Sequence, residues 1–383
     1  MTVEQLLFAL LRTALCEQSP DDRAKDALAV HGEALVALAK QQDLMPLIAE
    51  ALRISALSDT AGVAGETLYR EQMLAVFRHE QQQHDQSRVE KALADAQIAY
   101  LPLKGAVIRA FYPEPWMRTS CDVDVLVHEQ DTERAIKALE AIGFCMAKRN
   151  YHDISMHSES GTHLELHFTI METLDGINAL LSRVWEFCAP TDRDFCYAMS
   201  PEFFLFHTVA HMAHHFVAGG CGIRPFLDIW VWRQSHTLDM AQVEHLLAQG
   251  GILDFYRVCE RLIDVWFKGE PHDDLTHRVQ AYLLHGGAYG SVQAQVAMKQ
   301  HKKGGKLGYI CSRVFLPYDM LRHYYPVLDR HKWLYPAMQV RRWGRLLAWR
   351  RAKRSMRELA ASNAVTPEQA KKTERLLKDV GLS

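Results

Sequence analysis

The sequence predicts an α+β fold, in which a small mixed β-sheet is flanked by N-terminal and C-terminal helical regions. Apolar and polar residues alternate over residues 122–127 and again over residues 163–168, which is the pattern of half-buried strands. Near the start of the chain, leucines recur at helical spacing, beginning with Leu6, Leu7 and Leu10. The sheet is therefore expected in a central segment, with helices before and after it.

The chain divides into four predicted regions. Residues 1–97 are expected to form an N-terminal helical region, and residues 98–170 a mixed unit that carries the candidate site. Residues 171–300 are expected to form a mainly helical domain that completes the cleft. Residues 301–383 are expected to form a C-terminal helical region that contains a basic helix.

Local signals place the elements of the first two regions. In the N-terminal region, Pro20 and Ser58 begin the expected helix breaks, whereas the polar run after Glu80 is expected to continue a helix. In the mixed unit, Asp131 is a plausible helix N-cap and Gly143 a plausible C-terminal glycine. Strands are expected at residues 101–103, 122–127, 144–148, 154–157 and 163–168.

Composition narrows the class of protein. The 383 residues are 48% hydrophobic and 23% charged, which is typical of an ordinary soluble globular protein. The net charge of −2 gives the whole molecule no bias towards nucleic acid. The eight cysteines form no Cys-x-x-Cys pair, which argues against a zinc ribbon and predicts a reducing, cytoplasmic setting. Neither a secretory signal nor a membrane-spanning apolar stretch is expected.

Two aspartates stand two residues apart in the expected strand 122–127. Because alternate strand residues share a face, Asp122 and Asp124 should project together, roughly 7 Å apart. Glu165 lies between two leucines in the other expected strand and adds a third carboxylate. Hard oxygen ligands suit Mg²⁺ (or Mn²⁺), and three carboxylates on adjacent strands could hold two ions roughly 4 Å apart. Such an ion pair clamps the attacking and leaving oxygens in phosphoryl transfer.

A Lys-Gly turn precedes these strands. Gly105 would let the backbone approach a ligand, and the start of the following helix favours phosphate. Lys104 adds a point charge and Arg118 a forked one. Thr119 and Ser120 are candidate triphosphate-binding hydroxyls. Two structural alternatives stay open: Arg118 pairs with a carboxylate, and the two hydroxyl residues cap the strand that follows.

These motifs occur in a recognisable order along the chain. They are Leu103-Lys-Gly105, Tyr112-Pro113, Arg118, Asp122-Val-Asp124 and Leu164-Glu-Leu-His167. The combination resembles the nucleotidyltransferases of the DNA polymerase β-like superfamily and, within it, the bacterial family labelled uncharacterised nucleotidyltransferases. The strong part of the resemblance covers residues 98–170. The usual Gly-Ser turn of the superfamily is Gly105-Ala106 here, so the serine hydroxyl is missing.

The resemblance implies that the protein transfers NMP from an NTP, such as ATP, to a hydroxyl acceptor. Asp122 and Asp124 would hold the metal ions, and Glu165 would hold the second ion and help to deprotonate the acceptor. A small molecule, a protein or an RNA could be the acceptor. Two alternatives are a catalytically degenerate nucleotide- or RNA-binding module and a toxin-like transferase that acts on tRNA ends.

Four histidines lie on the expected helix near residues 201–217. His207, His211 and His215 are four residues apart and share one face, a spacing that can bind zinc. Thr208 replaces the glutamate of the metalloprotease motif, so a protease is not indicated. The histidines, including His214, are interpreted mainly as half-buried polar residues, some of which line the cleft.

A basic stretch follows near the C-terminus. Residues 341–357 contain eight Lys or Arg residues, two tryptophans and no acidic residue. A basic amphipathic helix of this kind can bind RNA, a membrane surface or a protein partner. It can also be a solvated helix with one packed face.

Overall fold

The computed structural model describes residues 1–172, 174–288, 315–318, 321–322, 325, 327–346 and 367–382. The chain divides into two compact units. The first comprises Met1–His214 and Gly222–Ala288, and the second comprises His215–Cys221 and Tyr289–Ser383. The mixed α+β class predicted from the sequence is confirmed. The four-region division stays a prediction.

Four helices form the N-terminal part of the first unit. They are α1 (Val3–Cys16), α2 (Asp22–Gln41), α3 (Met45–Ile54) and α4 (Val63–Asp95). Both breaks lie where the sequence predicts them, and Asp21 caps α2 by accepting a hydrogen bond from the Ala24 amide. The polar run after Glu80 lies within α4, which confirms that this helix continues.

The central sheet has five strands in the order β1-β2-β5-β4-β3. The strands are β1 (Tyr100–Pro102), β2 (Asp122–Val127), β3 (Cys145–Arg149), β4 (Asp153–His157) and β5 (His163–His167). Strands β2 and β5 are parallel, and the other neighbouring pairs are antiparallel. A short helix, α5 (Gly105–Ile108), follows β1, and α6 (Thr132–Ala141) follows β2. The sheet is therefore mixed, as expected.

The two faces of this sheet differ in polarity. One face is polar. It carries Asp122 and Asp124, which are alternate residues of β2, and Glu165 of the neighbouring strand β5. The residues between them enter a buried apolar core together with residues of α4 and α6. This core contains Val89, Leu93, Val123, Val125, Val127, Ala135, Ile136, Leu139, Ile154, Met156, Leu164 and Leu166. Burial of the apolar face thus fixes which face the acidic residues occupy.

Helices predominate after the sheet. They are α7 (Asp175–Leu181), α8 (Pro201–Ala218), α9 (Arg224–Ser235), α10 (Met240–Gln249), α11 (Leu253–Lys268) and α12 (Asp274–Gly286). A two-stranded sheet of β6 (Cys188–Pro190) and β7 (Tyr197–Met199) precedes α8. The sequence did not predict this hairpin.

The described residues of the second unit include three helices after residue 315. They are α13 (Val327–Arg330), α14 (Tyr335–Leu346) and α15 (Pro367–Asp379). Leu321, Tyr325 and Leu328 form a small buried cluster. Residues 341–346 of the basic stretch lie in α14, and residues 347–357 lie outside the described residues. In the part of the chain that the structure describes, no helix combines the length and apolar character needed to cross a membrane.

Candidate active site on the polar face of the sheet

The parallel pairing of β2 with β5 brings the three predicted carboxylates together. Asp124 lies directly opposite Glu165, and Asp122 lies directly opposite His163. We call Asp122, Asp124 and Glu165 the acid cluster. Because all three project from one face of adjacent strands, their negative charges repel one another unless a cation lies near them.

Lys104 supplies one cation to the acid cluster. Its Nζ atom lies 3.0 Å from Oδ1 of Asp124. Lys104 has a φ of 45°, a left-handed conformation that costs a residue with a side chain about 1–3 kcal/mol. The amide of Leu103 donates to the carbonyl oxygen of Asp124 at 3.0 Å, which extends the β1–β2 pairing up to the turn. Although burial opposes its charge, the nearby carboxylates, Asp124 first among them, raise the pKa of Lys104.

His167 of β5 contacts the same carboxylate oxygen of Asp124 as Lys104 does. Its Nε2 atom is 2.9 Å from Oδ1 of Asp124 and 3.5 Å from Oε2 of Glu165. Burial favours the neutral ring, but the two carboxylates raise the pKa of His167 overall. Asp124 therefore has an ammonium and an imidazole within 3.0 Å.

The two aspartates differ in charge balance. Burial raises the pKa of the Asp124 carboxyl, but Lys104 and His167 outweigh it, so this pKa lies well below its usual range. Burial raises the pKa of Asp122 too, and the charge of Asp124 raises it further. Ser120 Oγ donates to Oδ1 of Asp122 at 3.0 Å. Among the described residues, no Lys, Arg or His nitrogen lies within 4.0 Å of the Asp122 carboxylate.

The turn after β1 is closely packed. A Cβ atom at Gly105 would lie 3.2 Å from Oγ of Ser120, so a larger residue would press on the group that holds Asp122. Nε of Arg109 donates to the Gly105 carbonyl oxygen at 2.9 Å. Arg109 is 3% exposed, and its Nη2 atom has no hydrogen-bond partner in the described part of the chain. Burial and the nearby Arg118 lower the pKa of Arg109 to about 10.

Arg118 lies in a buried network and not at the acid cluster. Its Nε and Nη2 atoms donate to the two carboxylate oxygens of Asp228 on α9, at 2.7 and 2.8 Å. The hydroxyl of Tyr112 donates to the same carboxylate at 2.7 Å. We call Tyr112, Arg118 and Asp228 the Arg118 network. This contact matches the structural alternative for Arg118, whose nucleotide contact stays a prediction.

Thr119 and Ser120 point to different partners. Thr119 donates to Oδ2 of Asp43 at 2.9 Å, and Arg224 of α9 pairs with the same carboxylate. Ser120 binds Asp122, as described above, and its carbonyl oxygen accepts from Gln82 of α4 at 2.8 Å. Only Ser120 of the two hydroxyl residues therefore contacts the acid cluster.

The histidines of α8 form a separate arrangement. The Nδ1 atoms of His211 and His214 each lie 2.9 Å from one carboxylate oxygen of Glu172. His207 is buried, and neither ring nitrogen has a hydrogen-bond partner among the described residues. Burial lowers the pKa of His207 to about 3, so the ring is neutral. Glu172 thus joins His211 to His214, whereas the helical spacing had grouped His211 with His207 and His215.

Two overlapping groups on the polar face fit a metal ion. One consists of Asp122, His163 and Glu165, and the other of Asp124, Glu165 and His167. Within each group, one ligand atom from every member lies within 4.8 Å of the others. Carboxylates and imidazoles are metal ligands, so the residues fit a divalent ion.

The comparison with known families agrees with this geometry. A family model described as "Uncharacterised nucleotidyltransferase" matches residues 29–268. The chain belongs to this nucleotidyltransferase family. The match covers the whole mixed sheet, the acid cluster and the Arg118 network. A search among curated proteins gave no match. The family supports transferase activity in general and leaves the acceptor open.

Sequence reasoning gave no role to several residues that the structure places on this face or in the neighbouring networks. His163 and His167 stand on either side of Glu165 at alternate positions, so the alternation that placed Glu165 also placed them. Glu172 and Arg109 carried no comparable signal. Their importance depends on partners from other segments of the chain.

Proposed function

We propose that the protein is a metal-dependent nucleotidyltransferase that transfers NMP from an NTP to a hydroxyl acceptor. The observation that carries the proposal is the convergence of Asp122 and Asp124 with Glu165 on one face of the sheet, beside a Lys-Gly turn. The family match supports the same reaction class. Mg²⁺ or Mn²⁺ is the proposed metal, held by Asp122, Asp124 and Glu165.

The proposed reaction is an in-line displacement at the α-phosphorus. A bond forms between the acceptor oxygen and the α-phosphorus, and the bond to the β-phosphate oxygen breaks with its electron pair. Pyrophosphate leaves, and the acceptor proton passes to Glu165. A divalent metal at the acid cluster would neutralise phosphate charge and favour the deprotonated acceptor.

The turn residues are proposed to bind the triphosphate. Lys104 contacts Asp124 through one ammonium group, which has three donors, so it can also donate to a phosphate oxygen. Gly105 keeps space beside Ser120 open and lets the backbone approach the ligand. Ser120 orients Asp122 through its hydroxyl. Direct contacts of Arg118, Thr119 and Ser120 with nucleotide are further proposals.

The acceptor is proposed only by chemical class. A hydroxyl group of a small molecule, a protein or an RNA satisfies the reaction. The basic stretch at residues 341–357 makes RNA one candidate to test, because a Lys- and Arg-rich segment binds phosphates in a salt-dependent way.

The direct test uses each α-labelled NTP in turn with Mg²⁺ or Mn²⁺ and a fractionated cell extract. We expect label on one molecular class and release of pyrophosphate. Asp122→Asn and Asp124→Asn should each reduce transfer by about 10³-fold or more, because a lost metal ligand removes several kcal/mol of charge stabilisation. Asp26→Asn, at an exposed position of α2, is the matched control and should keep full transfer.

The outcomes separate the proposal from its main alternative. Unchanged labelling by both active-site variants would contradict the proposal. Nucleotide binding by the wild-type chain without any metal-dependent pyrophosphate release would favour a degenerate nucleotide-binding module. The variants should be compared by circular dichroism so that loss of folding is not mistaken for loss of chemistry.

A further inference from the structure

One of the two groups that fit a metal ion contains His163, which has no role in the proposed reaction. His163 lies opposite Asp122 in the β2–β5 pairing and two residues before Glu165. One ligand atom from each of these three residues lies within 4.8 Å of the others. Ligands of a single ion with bonds of about 2.1 Å lie about 3 to 4 Å apart, so small side-chain rotations bring the three onto one ion.

The charges on this face favour the group at Asp122 over the group at Asp124. Lys104 and His167 already compensate Asp124, at 3.0 and 2.9 Å. An ion bound at Asp124 would meet the ammonium of Lys104. Asp122 has only the hydroxyl of Ser120 at its carboxylate among the described side chains, so an ion there meets negative charge that no described cationic side chain contacts. The first ion is therefore expected at Asp122.

The His163 ring is held in place by its neighbours on β4. Its Nε2 atom lies 2.8 Å from Oγ of Ser155, and its ring stacks on His157 with centroids 4.8 Å apart. Metal-binding histidines commonly use one ring nitrogen for the metal and the other for a hydrogen bond that fixes the ring. The contact with Ser155 is of this second kind, so Nδ1 would be the ligand atom if Nε2 keeps this hydrogen bond.

We infer that Asp122, His163 and Glu165 bind a divalent first-row transition ion, such as Mn²⁺ or Zn²⁺, in preference to Mg²⁺, with His163 as a nitrogen ligand. Imidazole nitrogen suits transition ions, whereas Mg²⁺ is held by oxygen. The inference rests on the proposed function, because the same carboxylates serve both. It goes beyond that function by assigning a nitrogen ligand and a metal class.

The test uses the full chain and Mn²⁺ alone, below one equivalent. Pulsed electron paramagnetic resonance detects ¹⁴N modulation when a nitrogen binds Mn²⁺ directly. We expect this modulation in the wild type and its loss in His163→Phe, which keeps a flat ring against His157 but removes both ring nitrogens. His157→Phe is the matched control on the same stacked pair and should keep the modulation. His167→Phe should keep it too.

Affinity measurements give a second readout. Calorimetry should show that Mn²⁺ binds the wild type at least about ten-fold more tightly than Mg²⁺, and that His163→Phe removes most of this difference. Melting curves of the metal-free variants check that the fold is kept. Mn²⁺ binding without ¹⁴N modulation, or modulation that survives His163→Phe and is lost in His167→Phe, would overturn the inference.

The inference and the proposed function can fail separately. Nucleotidyl transfer with an oxygen-only metal site overturns the nitrogen ligand and leaves the transferase standing. A ¹⁴N signal lost only in His163→Phe, in a chain that transfers no nucleotide, supports the site and contradicts the reaction. An absence of Mn²⁺ binding by the wild type overturns the inference, and transfer assays then decide the reaction independently.

Discussion

The Arg118 network and the acid cluster are both groups of buried and half-buried polar side chains in the first unit, but their charges balance differently. In the Arg118 network, one guanidinium meets one carboxylate through two hydrogen bonds of 2.7 and 2.8 Å, and the Tyr112 hydroxyl adds a third. In the acid cluster, three carboxylates share one lysine and one histidine. The first arrangement is complete by itself, whereas the second has negative charge left for a cation. Excess charge, and not burial alone, therefore distinguishes the candidate active site from a structural ion pair.

The largest expected effect on stability lies in the Arg118 network. Asp228→Asn or Arg118→Met should lower the free energy of unfolding by about 3–5 kcal/mol, because each leaves the partner's charge buried and unpaired. Urea denaturation followed by circular dichroism measures this loss. Arg109→Met is the matched control, since Arg109 is also largely buried but has no carboxylate partner among the described residues, and it should cost about 1 kcal/mol or less. Equal losses for Arg118→Met and Arg109→Met would contradict the distinction between paired and unpaired guanidinium groups.

The two aspartates of the acid cluster should respond to neutralisation with opposite signs. Asp124→Asn removes the charge that compensates Lys104 and His167, and it should lower the free energy of unfolding by about 2 kcal/mol. Asp122→Asn removes a charge that burial and the nearby Asp124 disfavour, since both raise the pKa of Asp122 in the folded protein, and it should raise that free energy by up to about 1 kcal/mol.

This pair of measurements requires the metal-free protein. Unfolding at pH 7 in the presence of a chelator compares the two variants with the wild type. A destabilising effect of similar size for both would show that the cluster carries no excess charge. An ion bound at Asp122 should stabilise the wild type more than Asp122→Asn. Added Mn²⁺ should then cancel the higher free energy of unfolding of the variant.

A pH-dependent effect concerns His207, a buried group that carries no charge. Its pKa is lowered to about 3 in the folded protein, whereas an unfolded histidine titrates near 6.5. Between these two values the unfolded chain binds the extra proton, so stability falls as the pH drops below about 6.5 and levels off near 3. Between pH 7 and pH 5, the wild type should lose about 2 kcal/mol more than His207→Leu. Parallel stability curves for the two proteins would contradict a neutral, buried His207.

The sequence predicted the elements whose pattern is local. The alternation of aspartate and valine in β2 fixed both its strand character and the face of Asp122, since only one register buries Val123 and Val125. The helices of the N-terminal region followed from leucine spacing in the same way. The β6–β7 hairpin was not predicted because its three-residue strands are too short to show a period and, unlike β1, stand beside no recognised motif.

The candidate site was predictable only in part. Asp122, Asp124, Glu165 and Lys104 were found because each stands in or beside a patterned segment. The partner of Arg118 was left open between nucleotide and carboxylate, because Asp228 lies 110 residues away on another helix. The histidines of α8 were grouped by helical spacing as His207, His211 and His215, whereas Glu172, from the segment after β5, joins His211 to His214.

By itself, the sequence determined the class of fold, the strands that carry the acidic residues and the family to which the chain belongs, because periodicity and short motifs are properties of neighbouring residues. Only the tertiary structure decided how the charges balance. The parallel register of β2 with β5 placed Asp122 beside His163, and the Lys104 turn gave its ammonium to Asp124 and not to Asp122. Electrostatic energy depends on distances through space, which chain position alone does not fix.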